Sequence, residues 1–232
     1  MAVGAVLSEA WALYTRFLGR FALTAAIVFV VLDLLSAIAG TATSDSATAV
    51  WGLISFVIGL VGFFWVQGAL VEAVRDVRDG RIDVSIGDLY ARTRPRLPAL
   101  IVAGVLAVLG VTLGLILLIV PGLYLLTRWL FIVPAIVLEG RSAGESFGRS
   151  NEIGTGNRWS VLGLAVVTVV LYVLATAVLR GLLFFLPTFF QDWFGSLIAH
   201  SLLAPYVLLA WTIGYYHLIG AGRAPAVEAA AS

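Results

Sequence analysis

Apolar residues run along this chain in long blocks separated by short polar stretches. Read as helices, the blocks cover residues 17–40, 49–71, 97–119, 122–138, 159–180 and 197–220. Each is close to the roughly 20 residues that a helix needs to cross the hydrocarbon core of a bilayer. The third and fourth blocks are a single apolar run, too long for one span. Pro121-Gly122 splits that run, and Pro-Gly is a strong turn signal. The two blocks are therefore expected to form a tight hairpin, with Pro134 breaking the second arm. The stretch 182–194 is short, aromatic and interrupted by Pro187. It is expected to lie at the outer membrane interface, where aromatic rings settle, and not to cross as a seventh span.

Composition strengthens this reading. The chain is 61% hydrophobic and 12% charged, against about 45–50% and about 25% for a soluble globular domain. The fold class expected is all-α: a polytopic integral membrane bundle of about six transmembrane helices in one domain over residues 1–222. Residues 223–232 are expected to form a flexible tail. A net charge of +1 gives no bulk attraction to nucleic acid. All the basic residues are Arg, which in so Ala-, Val-, Leu- and Gly-rich a chain suggests a GC-rich genome. No cysteine is present, so disulfides, thiolate metal sites and thiol catalysis are excluded. Glu9, Arg16 and Arg20 come before the long uncharged part of the first apolar block, which is expected to be retained as a span and not cleaved as a signal peptide.

Arg placement sets the orientation. Arg75, Arg78, Arg81, Arg92, Arg94 and Arg96 fall between the second and third blocks. Arg141, Arg149 and Arg158 fall between the fourth and fifth. Arg16 precedes the first block, Arg20 lies in its first turn and Arg223 follows the last. The intervening loop at 41–48 and the Pro121 turn carry no Arg. Positively charged loops stay in the cytoplasm, so both termini are expected there, in the cytoplasmic membrane of a bacterium.

The basic segments share a form. Ser142 and Glu145 have the spacing of a capping box, and Ser85 with Asp88 is similar. Ser8 opens a third candidate helix. An aromatic residue follows each start: Trp11 and Tyr14, Tyr90, or Phe147. The chain thus reads as three units, each a cytoplasmic amphipathic helix followed by a hairpin. The alternative, that any cytoplasmic loop of a polytopic protein is basic and capped, stays open.

The stretch Pro121-Gly-Leu-Tyr-Leu-Leu-Thr-Arg128-Trp, then Val133-Pro134 through Glu139-Gly, Glu145-Ser-Phe-Gly-Arg149-Ser150 and Gly156-Asn157-Arg158-Trp159, resembles a bacterial family. It is similar to the YciC-like polytopic membrane proteins and to the membrane domain of some glycerophosphoryl diester phosphodiesterases. Leu7-Ser-Glu-Ala-Trp11-Ala-Leu-Tyr14 is similar to that group's N-terminal amphipathic helix. The resemblance implies a six-helix membrane domain. It does not imply phosphodiesterase activity, because the catalytic barrel would need some 250 further residues.

Two charges fall inside predicted spans, where charge is costly and usually faces a partner or a cavity. Asp33 and Arg128 each lie about seven residues from the outer ends of their helices, so an ion pair between them is expected, as a structural clamp or a ligand site. Gln67 is expected to bond across helices, and Glu72 to lie at the interface. His200 and His217 sit about 25 Å apart on one helix and cannot share a metal. A proton relay between them would need groups that the apolar stretch does not supply. Gly110 and Gly114 form a GxxxG, and Gly59 and Gly62 add small residues to the second span. Such residues let helices approach closely, inside the bundle or between copies.

No metal or cofactor is expected, and no enzyme motif is present. The expected function is a non-catalytic scaffold or accessory factor in envelope or lipid homeostasis. The alternative is a transporter or channel for a small or amphipathic solute using Asp33 and Arg128. Membrane lipids are the expected partners, with no nucleic acid. A second copy of the chain or another membrane protein is left open as a partner.

Overall fold

The computed structural model describes residues 1–39, 45–78 and 82–221. The first half of the 41–48 loop, Arg81 and the expected tail at 223–232 lie outside the described residues. The described chain is an all-α polytopic bundle without strands. Six helical stretches are long and apolar enough to cross a membrane: Leu18–Ser36, Val50–Val77, Ile86–Leu117, Ile119–Glu139, Arg158–Leu182 and Thr188–Gly220.

The helices in order are α1 (Val3–Arg16), α2 (Leu18–Ala39), α3 (Asp45–Val77), α4 (Ile86–Thr93), α5 (Leu97–Leu117), α6 (Ile119–Trp129), α7 (Ile132–Glu139), α8 (Ala143–Gly154), α9 (Arg158–Leu182), α10 (Thr188–Ile198) and α11 (Ala204–Ala221). A π-helical turn, Ala199–Leu203, joins α10 to α11. Three short amphipathic helices, α1, α4 and α8, each precede a hairpin: α2–α3, α5 with α6–α7, and α9 with α10–α11. Ser142 and Glu145 form the expected capping box at α8. Ser85 caps α4 by accepting from the Asp88 N–H. The Ser8 start does not hold, because α1 begins at Val3 behind Ala2, with no side-chain cap.

The packing is cyclic. α4 lies against α3 and α8 lies against α5, α6 and α7, so each rests on the hairpin before it. α1 rests on α11 and α9 and closes the circle. Val6, Ala10 and Tyr14 form its buried face. At the joint after α1, Arg20 donates to Asp76 at 2.6 Å with both side chains almost fully covered.

Two expected turns are displaced. The α5–α6 reversal is at Leu118, in an extended conformation, and Pro121-Gly122 falls in the first turn of α6. There the missing proline N–H has no helical partner to lose. Gly122 is needed for a different reason: a Cβ on it would stand 2.6 Å from the Leu115 backbone nitrogen. Pro187 likewise does not interrupt the aromatic stretch but opens a helix that continues through it. It is the N-cap of α10, and Phe189, Phe190, Trp193 and Phe194 lie on the sixth spanning helix, which begins at Thr188. Only residues 183–187 turn.

The small residues are used within the bundle. A Cβ on Gly110 would collide with the Trp129 ring at 2.5 Å, one on Gly114 with Gly122 at 2.9 Å, and one on Gly62 with Leu32 at 2.8 Å. Gly59 faces open space. Replacing Gly122 by Val is expected to destabilise the protein by about 1–3 kcal/mol through overpacking. Gly59→Ala is expected to stay within about 0.5 kcal/mol. Unfolding of the two variants in detergent micelles checks both values.

Candidate functional site

The fourth spanning helix breaks between Trp129 and Ile132. Pro134 is the cause: it lacks the N–H that would bond the Leu130 carbonyl, and its ring crowds that carbonyl. Ser150 on α8 fills the gap. Its hydroxyl donates to the Arg128 carbonyl at 2.7 Å and accepts from the Phe131 N–H at 3.1 Å. Beside it, Arg128 Nε donates to Asn151 Oδ1 at 2.9 Å and Arg158 Nη2 donates to the same oxygen at 3.2 Å. Both guanidinium groups also lie over the Tyr124 ring, at 5.5 and 5.3 Å from its centroid. That is within reach of a cation–π interaction.

The expected Asp33–Arg128 pair is therefore not formed. Asp33, only 7% exposed, meets His200 Nδ1 at 2.9 and 3.2 Å. His200 also stacks on Phe29, with centroids 4.7 Å apart. It stands in the π-helical turn, and Pro205 accounts for that turn because it cannot bond the Ser201 carbonyl. The correction has a physical origin in α8. This helix folds back along α7 and brings Asn151, and Arg158 at the start of α9, beside Arg128, on the Pro121 side of the helix break. Depth counted along a straight helix misplaces it.

The Arg-rich end of the bundle is cross-linked by ion pairs. Glu72, 2% exposed, accepts from Arg96 at 2.8 Å and lies 3.7 Å from Arg75. It is buried within the protein, at the Arg-rich end of α3. Arg96 enters the chain at the start of α5 and so ties two hairpins together. Glu139 accepts from Arg149, Arg141 and the Tyr215 hydroxyl. His217 meets Glu9 on α1 at 2.6 Å. A polar basin of about 830 Å³ opens among Arg75, Glu139, Arg149, Asn157, Tyr215 and Tyr216.

Between the spans the cavities have a different character. One of about 320 Å³ and one of about 280 Å³ share Phe63, Gln67, Leu208 and Trp211. A groove of about 500 Å³ between α3 and α5 reaches the same Phe63. The walls are almost wholly Phe, Val, Leu, Ile and Trp. His200 and Tyr172 stand at one end. Gln67 makes no cross-helix hydrogen bond among the described residues and faces both inner cavities. Among those residues no three His, Asp or Glu side chains gather as a metal site.

A family model described as a domain of unknown function, DUF7847, matches residues 96–214, just over half of the chain. The chain belongs to the DUF7847 family. No curated protein and no solved structure matches it. The DUF7847 stretch runs from the Arg96 ion pair into α11. It contains Arg128, Ser150, Asn151, Arg158 and His200, while Asp33 and Gln67 lie before it.

Sequence reasoning missed Ser150 and Asn151, whose roles depend on where α8 comes to rest. The Asp33–His200 pair left a usable signal, since both residues fall in the outer parts of their spans. A double-mutant cycle on Asp33→Ala and His200→Ala, read by unfolding in detergent, is expected to give a coupling of about 1–3 kcal/mol. The same cycle on Asp33 and Arg128 is expected to be additive within about 0.5 kcal/mol.

Proposed function

We propose that this DUF7847 protein is a non-catalytic multi-pass component of the bacterial cytoplasmic membrane that acts in lipid or envelope homeostasis. The observation that carries the reading is the character of the cavities at spanning depth. They are apolar and the α3–α5 groove faces the region that lipid chains occupy. Such walls suit an acyl chain and offer an ion or a sugar almost no replacement for its water. The three surface helices, held to the hairpins by Glu9–His217, Tyr90 to Thr24 O and Arg149–Glu139, support a rigid platform role. Kinship of the stretch from Pro121 to Trp159 with the YciC-like membrane proteins is part of the same proposal.

A second reading, transport of an amphipathic solute, is favoured by one feature. His200, paired with Asp33, stands at the end of an inner cavity, where a titratable pair could respond to a passing ligand. Arg128 has no part in that reading, since it is held elsewhere by Asn151.

Deletion of the gene is expected to change the membrane lipid profile or the resistance of the envelope to detergents. Unchanged lipidomes together with unchanged resistance would overturn the homeostasis reading. The proposed orientation has its own test, made simple by the absence of cysteine. A single cysteine at exposed Arg92 is expected to resist a membrane-impermeant maleimide in intact cells. One at exposed Phe185 is expected to be labelled.

A further inference from the structure

Among the half-buried arginines, Arg128 and Arg158 stand apart. Glu72 engages Arg96 and Arg75, Asp76 engages Arg20, and Glu139 with Glu152 engages Arg141 and Arg149. Arg128 and Arg158 share only a neutral amide, Asn151 Oδ1, and the ring of Tyr124. Among the described residues neither has a carboxylate partner. Two positive charges are thus drawn to one oxygen and one ring, with nothing to neutralise them.

Such an arrangement is costly unless an anion completes it. Like charges repel, and the repulsion grows in the poorly solvated zone where spanning helices begin. One amide oxygen and one aromatic face cannot satisfy two guanidinium groups, which carry five N–H donors each. The donors left over lie half-buried, beside an exposed Tyr124 and a Trp159 that is 85% exposed. Tryptophan beside arginine at the start of a span is the composition of a headgroup zone. Glu152, next to Asn151 in the chain, lies 3.3 Å from Arg149 and pairs with neither Arg128 nor Arg158.

We propose that Arg128, Arg158 and Tyr124 form a binding site for a phosphate group, supplied by the headgroup of an anionic membrane lipid at the Arg-rich face. The guanidinium groups take phosphate oxygens through paired N–H donors, the geometry in which Arg recognises phosphate best. Asn151 holds the two forks together, and Ser150 fixes the backbone that carries Arg128. Trp159 lies in the plane of neighbouring headgroups. The site deepens the lipid-homeostasis reading and rests on it for the choice of lipid over soluble phosphate.

The test uses the full chain in nanodiscs and native mass spectrometry of retained lipid. Discs are prepared from phosphatidylcholine with or without phosphatidylglycerol. The wild type is expected to retain phosphatidylglycerol selectively. Arg158→Gln and Arg128→Gln are expected to retain it at least about tenfold less, the order expected for losing a hydrogen bond to a charged group. Arg94→Gln, an exposed arginine on another element, is expected to behave as wild type, and Arg158→Lys to recover part of the retention. If Arg128→Gln fails to fold, Arg158→Gln, outside the helix break, carries the measurement alone. Inorganic phosphate is titrated in parallel. Displacement of lipid by millimolar phosphate, with no preference between the two disc types, assigns the phosphate to a soluble source. Equal phosphatidylglycerol retention by wild type and both Gln variants, with no response to phosphate, overturns the site. The outcome is independent of the deletion phenotype. A lost site with an altered lipidome or resistance overturns only this inference, and a confirmed site with lipidome and resistance both unchanged overturns only the homeostasis reading.

Discussion

Hydrocarbon offers no partner to a backbone N–H or C=O, so any helix that breaks inside a membrane must be repaired by the protein itself. Two prolines impose that demand here. Pro134 opens the fourth spanning helix, and Ser150 of α8 answers by pairing with both Arg128 C=O and Phe131 N–H. Pro205 widens the sixth into a π turn, and the Tyr14 hydroxyl of α1 bonds the Leu202 carbonyl within it. Both repairs come from surface helices. These helices are therefore parts of the spanning bundle, and their position along it is set by where the breaks lie.

The cyclic packing follows from the same logic. A short amphipathic helix of 8–14 residues is marginal alone and needs an apolar face to rest on. The hairpin before it supplies that face, and α1 finds it on the last hairpin. Tyr14 and Tyr90 hold equivalent places: Tyr14 bonds a carbonyl on the third hairpin, and Tyr90 bonds Thr24 O on the first. Burial pushes the Tyr14 hydroxyl up to about 12, so it stays a donor at physiological pH. Phe147 makes the corresponding contact without a hydroxyl, packing edge-on to Trp129 with centroids 5.1 Å apart.

The fold divides the chemistry by depth. The Arg-rich end is polar and ion-paired, with buried Glu72 as its centre. Midway, the walls are apolar, and Gln67 and the Asp33–His200 pair are the polar exceptions. The Arg128–Arg158 pair lies on the flank of the ion-paired zone and, unlike the half-buried Arg20, Arg96 and Arg149, neither residue meets an acid. A membrane protein that meets anionic lipid can leave such a pair open, because the bilayer surface supplies the counter-charge.

Much of this was legible in the residues alone. Hydropathy fixed six spans, because bilayer thickness sets a length that apolar blocks must match. Cap chemistry located α4 and α8, because Ser85 and Ser142 need only neighbours three residues away. Pro134 announced a broken helix for the same local reason. Tertiary structure decided what no local rule reaches. It placed α8 against the break, which moved Arg128 from an imagined outer-leaflet pair with Asp33 to Asn151 and Arg158. It turned His200 toward Asp33 through a widened helix turn, and it extended the sixth helix back through the aromatic stretch to Thr188. Span number and capping depend on short-range chemistry and on the bilayer. Partner choice depends on where separate helices come to rest against one another, and that is settled only when the whole bundle packs.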